Sequence, residues 1–250
     1  MALRLRSALI GIVLILGATR ALWAQEPMFL VDEPTAGILP RGVYQMTMRL
    51  FSEGGVLVSA DVGLGDRFLI GLSYGGERII GRGQIRWYPQ PGVHVRLRLV
   101  DENRALPALS LGFHSQGYGR YLDDLERYEV KSRGFFAAAS KHYRAGVLLG
   151  IHGGLNYSLE DKDGDRDLNV FLGGSLALSR HFELMSEYDL AWNDNGPGSR
   201  GRGRGFLHAG CRWWAGQNIS IDFVFYDLVR NQKGVDYAGR FVVLRYWEHL

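Results

Sequence analysis

The chain has 250 residues, 46% of them hydrophobic and 12% aromatic, with 34 Gly against 7 Pro, and this composition excludes a disordered chain. Its formal charge of +3 traces to Arg4, Arg6 and Arg20 in an acid-free stretch of the first 24 residues. Beyond that stretch basic and acidic residues balance, so overall charge gives no support to a nucleic-acid partner, and the lone Cys211 excludes an internal disulfide framework or a Cys-cluster metal site.

Residues 1–24 read as a secretory signal peptide: two arginines, an apolar run from Ala8 to Ala18, then Ala21-Leu22-Trp23-Ala24. The run is short of the ~20 residues that a membrane-spanning helix needs. The mature chain is expected to begin near Gln25, with an N-terminal periplasmic segment over 25–41 and the main domain over 42–250.

From residue 42 onward the pattern has period two. Tyr44, Met46, Met48 and Leu50 share one face; Val56, Val58, Ala60, Val62 and Leu64 share the next; Phe68, Ile70, Leu72 and Tyr74 follow. Val93, Val95, Leu97 and Leu99 oppose His94, Arg96 and Arg98, and Leu109, Leu111 and Phe113 oppose Ser110, Gly112 and His114. Further strands are expected around 135–143, 147–156, 169–176, 182–192, 207–213, 219–225 and 237–248. That makes about twelve, each near the 9 to 11 residues with which a β-strand crosses a bilayer. Tight links at 65–67, 143–145, 180–181 and 216–218 alternate with long polar ones at 75–91, 115–133, 158–167 and 193–204. Short periplasmic turns and long outer loops predict this alternation. The link at 52–54 is shorter, and that at 101–105 longer, than it requires.

Alternation alone does not say which face meets solvent. The polar face, however, is rich in Gly (Gly63, Gly71, Gly112, Gly150, Gly154, Gly173, Gly210), which suits a crowded interior. Aromatic residues gather near strand ends (Tyr44, Tyr74, Trp87, Tyr88, Tyr157, Trp192, Trp213, Trp214), as interfacial girdles do. The fold expected is therefore all-β, a transmembrane antiparallel barrel of about twelve strands in the bacterial outer membrane, apolar outside and polar inside. Arg49, Arg96, Arg98 and Arg212 then point into the lumen together with Asp61, Glu183, Glu187, Asp189 and Asp222. Two readings stand: an ion-pair network that braces the wall, with Arg96 and Arg98 reaching across to Glu183, Glu187 and Asp189, or a charged conduit for a small polar solute.

The phrases Ser73-Tyr74-Gly75-Gly76, Ile79-Ile80-Gly81, Trp87-Tyr88-Pro89-Gln90-Pro91-Gly92 and Pro107 through Gly119 resemble the YjbH-like bacterial outer-membrane β-barrels, a family linked with exopolysaccharide production. Lys131-Ser132-Arg133-Gly134-Phe135, Gly153 through Tyr157, Asp167 through Phe171 and Glu187-Tyr188-Asp189 extend the resemblance over most of 35–248. It implies a barrel, the outer membrane and a polysaccharide connection, and no catalytic residue. Val242, Leu244 and Tyr246 alternate toward the C-terminus as an assembly signal would, although Glu248 and Leu250 depart from the usual aromatic ending.

Three constellations invite chemistry. Asp161, Asp163, Asp165 and Asp167 are spaced like the start of a calcium loop, yet Arg166 and Leu172 stand where an EF-hand needs Gly and Glu, leaving weak calcium binding or a solvated acidic loop. Arg200, Arg202 and Arg204 lie in a Gly-rich loop suited to anionic sugars or lipid phosphates, or in a plain linker. Ser140, His142 and Asn156 are the residue types of the outer-membrane phospholipases, in the wrong order. The expectation is a non-enzymatic envelope protein without cofactor: a passive channel or an accessory to exopolysaccharide export. A structural or surface-binding barrel with a plugged lumen, and a lipid-modifying enzyme, are the alternatives. Its expected partners are outer-membrane lipids and lipopolysaccharide, the barrel-assembly machinery, periplasmic chaperones and polysaccharide.

Overall fold

The computed structural model describes residues 26–250; the expected signal peptide lies outside the described residues. Fifteen strands follow in order: β1 Val43–Phe51, β2 Gly55–Gly65, β3 Phe68–Glu77, β4 Arg86–Trp87, β5 Gly92–Val100, β6 Ala108–His114, β7 Tyr118–Leu122, β8 Arg127–Val130, β9 Gly134–Ala145, β10 Val147–Tyr157, β11 Asn169–Ala177, β12 Phe182–Asp189, β13 Phe206–Trp214, β14 Ile219–Tyr226 and β15 Gly239–His249. Twelve of them form one antiparallel meander, and β15 pairs back onto β1 from Val43 opposite His249 to Leu50 opposite Val242, which closes the barrel. Closure matters because no backbone N–H or C=O can be left unpaired in hydrocarbon. Short β4 extends the edge of β3, and β7 and β8 form a separate hairpin between β6 and β9.

The period-two pattern is the wall of this barrel turned inside out. Leu72, Leu97, Leu111, Ile151, Leu172, Leu184 and Phe223 are exposed, whereas their strand neighbours Ser73, Arg96, Ser110, His152, Phe171, Met185 and Asp222 are buried. A surface this apolar over a polar, charged interior is stable only with lipid outside, so the protein resides in the bacterial outer membrane. Tyr74 stacks on Trp87 at the outer rim with both rings exposed, and Trp192 and Trp213 are likewise exposed near strand ends. Two expected girdle residues lie elsewhere. Tyr88 is buried under the outer loops, edge-on to Tyr128, and Trp214 turns inward against Trp247. Parity explains both, since each directly follows an outward-facing Trp.

At the closing seam the C-terminal departure is accommodated. The hydroxyls of Tyr44 and Tyr246 both donate to Glu248, and Leu250 N–H donates to Gly42 O.

The segment expected in the periplasm is inside the barrel. Residues 26–41 form a hairpin, with Leu30 N–H donating to Glu33 O and Thr35 N–H to Met28 O. Leu30, Val31, Ala36 and Leu39 are almost completely buried against the wall. Inward glycines make the room: a Cβ on Gly173 would sit 2.4 Å from Leu30 Cδ2, and one on Gly63 would sit 2.1 Å from Pro40 O. Leu30 and Val31 pack with Met185, Val224 and Val243, while Met28 and Leu39 pack with Val43, Leu69 and Trp247.

An arginine on the lipid face near mid-strand, Ile151→Arg or Phe223→Arg, should lower folding stability by ~2–4 kcal/mol in a reversible lipid-vesicle unfolding assay. Gly173→Val should instead act through the hairpin and raise protease sensitivity at residues 26–41.

Candidate functional site

The lumen side chains anticipated from parity all point inward, and most of them hold the hairpin instead of one another. Arg96 Nη1 donates to three hairpin carbonyls, Met28 at 3.0 Å, Thr35 at 3.1 Å and Gly37 at 2.7 Å. Next to it on β5, Arg98 Nε donates to Ala36 O at 2.9 Å and its guanidinium pairs with Glu26. Across the lumen Glu187 on β12 accepts from three consecutive N–H groups, those of Val31 (3.0 Å), Asp32 (2.8 Å) and Glu33 (3.1 Å). A nest of N–H groups around a carboxylate satisfies the tight turn, whose donors have no strand partner. Arg212 donates to the carbonyls of Phe29 and Leu30 and is clamped by Asp222 at 2.8 and 2.9 Å, with Glu183 3.6 Å away. The direct bridge expected between Arg96 or Arg98 and the acids of β12 is therefore replaced. The hairpin occupies the space between these walls, and each wall bonds to its backbone.

The hairpin tip meets the outer end at Asp32. Arg49 donates to it at 2.5 Å, Arg133 at 2.7 Å and the Tyr118 hydroxyl at 3.1 Å. Burial by itself would raise this carboxyl, but Arg49 and Arg133 outweigh it and hold Asp32 well below the usual carboxylate range. Beside it, burial pushes the Glu33 carboxyl well above its ordinary value against the pull of Arg133, with Asp189, Glu187 and Asp32 adding to the rise. Arg133 also reaches Asp189 at 3.3 Å, and Asp189 accepts from Asn169 at 2.7 Å.

The outer loops fold over the mouth. Arg127 pairs with Asp163 and Asp194, and Lys131 pairs with Asp163 and donates to Asn193 O at 2.7 Å. Asp165 accepts the N–H groups of Asn195 and Gly196, and Asp161 pairs with Arg166. The calcium expectation is corrected here: Asp163 and Asp165 are spent on loop closure, Asp167 is exposed, and no group of three or more His, Cys, Asp or Glu suited to a metal occurs among the described residues. In the basic loop Arg200 is withdrawn, donating to the Tyr226 hydroxyl and to Gln232 and lying over the Phe206 and Tyr226 rings. Only Arg202 and Arg204 remain exposed, with Arg202 3.7 Å from Asp236. Ser140, His142 and Asn156 are not brought together either. Ser140 bonds His152, His142 bonds Glu102, and Asn156 bonds Arg133 O and Asn169.

Between hairpin and wall remains a cavity of about 60 Å3, lined on the wall side by Gln45, Arg49, Asp61, Ser73, His94 and His114. Three of these form a row across adjacent strands. Asp61 Oδ1 lies 2.8 Å from His94 Nδ1, and His94 Nε2 lies 3.0 Å from Ser73 Oγ. Gly71 on β3 stands between Asp61 and His94 in the sheet, and a Cβ there would come within 2.1 Å of Asp61 Oδ1. Parity alone placed Asp61 and His94 inward; their alignment with Ser73 needed the strand register. Asp32, Glu33 and Arg133 escaped sequence reasoning because they lie outside the alternating segments, while inward Arg245, 2.5 Å from Asp222, was legible from its place between Leu244 and Tyr246 of the outward row.

No family profile matches the chain, and no curated protein matches it. Among solved structures it is similar to the Acinetobacter baumannii outer membrane protein Omp33, at 8% identity and a TM-score of 0.43 over 83% of this chain and 97% of that one. It is also similar to an outer membrane channel from Pseudomonas putida F1, at 12% identity and a TM-score of 0.43 over 90% and 99%. A third is the NanC porin, at 9% identity and a TM-score of 0.41 over 83% and 98%.

Removing the Glu187 carboxylate leaves three buried N–H groups without an acceptor. Glu187→Ala should cost ~3–5 kcal/mol of stability, as when one partner of a buried charged contact is removed. Arg96→Ala together with Glu187→Ala should cost less than the sum of the singles, because both act on one hairpin; a thermal-unfolding double-mutant cycle measures this.

Proposed function

We propose that this protein is an outer-membrane barrel closed at rest, its lumen occupied by its own N-terminal hairpin and its mouth covered by the outer loops. It acts at the cell surface as a structural or binding component of the envelope. The observation that carries this reading is the hairpin over residues 26–41, bonded to both walls and leaving a cavity of about 60 Å3. A space of that size admits a few waters and passes no sugar chain. The exopolysaccharide role that the family resemblance implies is accordingly one of attachment at the outer loops, where Arg202 and Arg204 stay exposed toward anionic sugars and lipid phosphates.

A gated channel is the second reading, and the chemistry of the hairpin contacts favours it. Arg96, Arg98, Arg212 and Glu187 hold the hairpin by hydrogen bonds and charge, and water can replace these when the hairpin leaves. In planar bilayers the native protein should be electrically silent at moderate voltage. The Arg96→Ala, Arg98→Ala, Glu187→Ala variant should show openings of ohmic size. Large steady conductance of the native protein would overturn the resting plug. Silence of both, in barrels that retain their heat-modifiable gel mobility, would leave the structural and surface-binding role as the function.

A further inference from the structure

Beyond plugging, the lumen wall carries an arrangement that the hairpin does not use. Asp61 on β2, Ser73 on β3 and His94 on β5 are 95%, 97% and 94% buried, and among the described residues none of them hydrogen-bonds the hairpin. A carboxylate only accepts, so Asp61 at 2.8 Å accepts the N–H of His94 Nδ1; in the neutral imidazole Nε2 is then the acceptor facing the Ser73 hydroxyl at 3.0 Å, nearer to it than the other acceptor of that hydroxyl, Gln116 Oε1, at 3.3 Å. The row has the order and spacing of a nucleophile, its base and the group that orients the base, and it borders the cavity. A second Ser–His contact in the same lumen provides the contrast. Ser140 lies 2.8 Å from His152, but there Ser140 Oγ already accepts the hairpin N–H of Ala36, and among the described residues no carboxylate hydrogen-bonds His152.

We propose that Ser73 is an activated nucleophile, with His94 as its general base and Asp61 as the positioning residue, acting on short acyl esters of acetyl size that reach the lumen cavity. The class follows from the space, since a cavity of about 60 Å3 has no room for a long acyl chain. Ser73 Oγ attacks the ester carbonyl as its proton passes to His94 Nε2. The C–O bond to the leaving alcohol breaks and the alcohol takes that proton, which leaves acyl-Ser73. Water then attacks the acyl carbon, giving a proton to His94; the bond from the acyl carbon to Ser73 Oγ breaks, His94 returns the proton to Oγ, and the acid leaves. Negative charge on the carbonyl oxygen develops in a cavity whose lining includes Arg49 and Lys131, each already paired, with Asp32 and Asp163.

The test uses the full folded barrel in detergent and methanesulfonyl fluoride, a probe small enough for the cavity. Ser73 Oγ displaces fluoride at sulfur, and the sulfonyl adduct is located by peptide mass spectrometry. The expected result is an adduct on Ser73 and none on Ser140, at a rate that rises with pH. His94, whose ring faces Asp61, Ser73 and the stacked ring of His114 at 3.9 Å, is the source of that rise: His94→Gln should slow labelling by ~10²-fold or more and abolish it, His114→Gln should keep it, and Asp61→Asn should slow labelling with the pH profile displaced. Heat-modifiable gel mobility verifies that each variant is folded, and Ser73→Ala keeps the fold while losing the adduct. Absence of label on Ser73 in folded protein, equal labelling of Ser73 and Ser140, or indifference of the rate to His94→Gln would each overturn the proposal. None of these outcomes bears on the resting plug, which the conductance measurement decides separately.

Discussion

The contact on which the rest of the interior depends is the buried carboxylate of Asp32. It is the one point at which the barrel wall, through Arg49, the base of the outer cap, through Arg133, and the cap hairpin, through Tyr118, all meet the plug. A carboxylate taken out of water is tolerable only when cations and donors replace its hydration, and the two guanidiniums do so. Arg49 in turn lies 4.3 Å from the Tyr118 ring centroid, so its charge serves the carboxylate and the aromatic face together. Plug and lid thus share a fastening at this carboxylate, in addition to the contacts that each makes with the wall and the loops.

The hairpin poses the problem opposite to that of the wall. Barrel strands satisfy every backbone group through their neighbours, whereas the hairpin has few internal bonds and must find partners across the lumen. Arginine is well suited to this because its fork of donors serves several carbonyls at once, as Arg96 does for Met28, Thr35 and Gly37. The complementary need, acceptors for the N–H groups of the turn, falls to Glu187. The basic side on β5 and the acidic side on β12 are therefore matched to the two kinds of backbone group in the segment between them. That division also explains why so much charge is stable in a narrow interior: little of it is left to repel like charge across open space.

The outer cap follows the same economy. Asp163 and Asp194 converge on Arg127, and Asp163 also takes Lys131, so acids on two loops neutralise bases carried by the stretch between β7 and β9. Tyr88, Tyr118, Tyr128 and Tyr226 fill the layer beneath, each buried. Arg200 illustrates how an apparently free basic loop loses its charge to the interior, since its guanidinium lies over the Phe206 and Tyr226 rings and leaves the exposed positive charge to its neighbours.

By itself the sequence determined the strands, their number, the inward and outward sides of the wall and the outer membrane around it. Counting by two sorts the side chains into two faces, and the glycines of the polar face together with the aromatic residues near strand ends tell which face meets lipid. The same counting placed Arg96, Arg98, Glu187, Asp222 and their companions inside. It could not name their partners, because a partner depends on what occupies the lumen, and residues 26–41 carry no periodic pattern that distinguishes a buried hairpin from a periplasmic tail. The acidic loop and the row of Asp61, His94 and Ser73 were settled in the same way by the tertiary structure. Asp163 and Asp165 have the spacing of calcium ligands until Arg127, Lys131 and the 195–196 turn arrive from distant positions to claim them. The row aligns only because strand register sets Gly71 opposite both Asp61 and His94, so that two side chains on non-adjacent strands meet over a residue that has none.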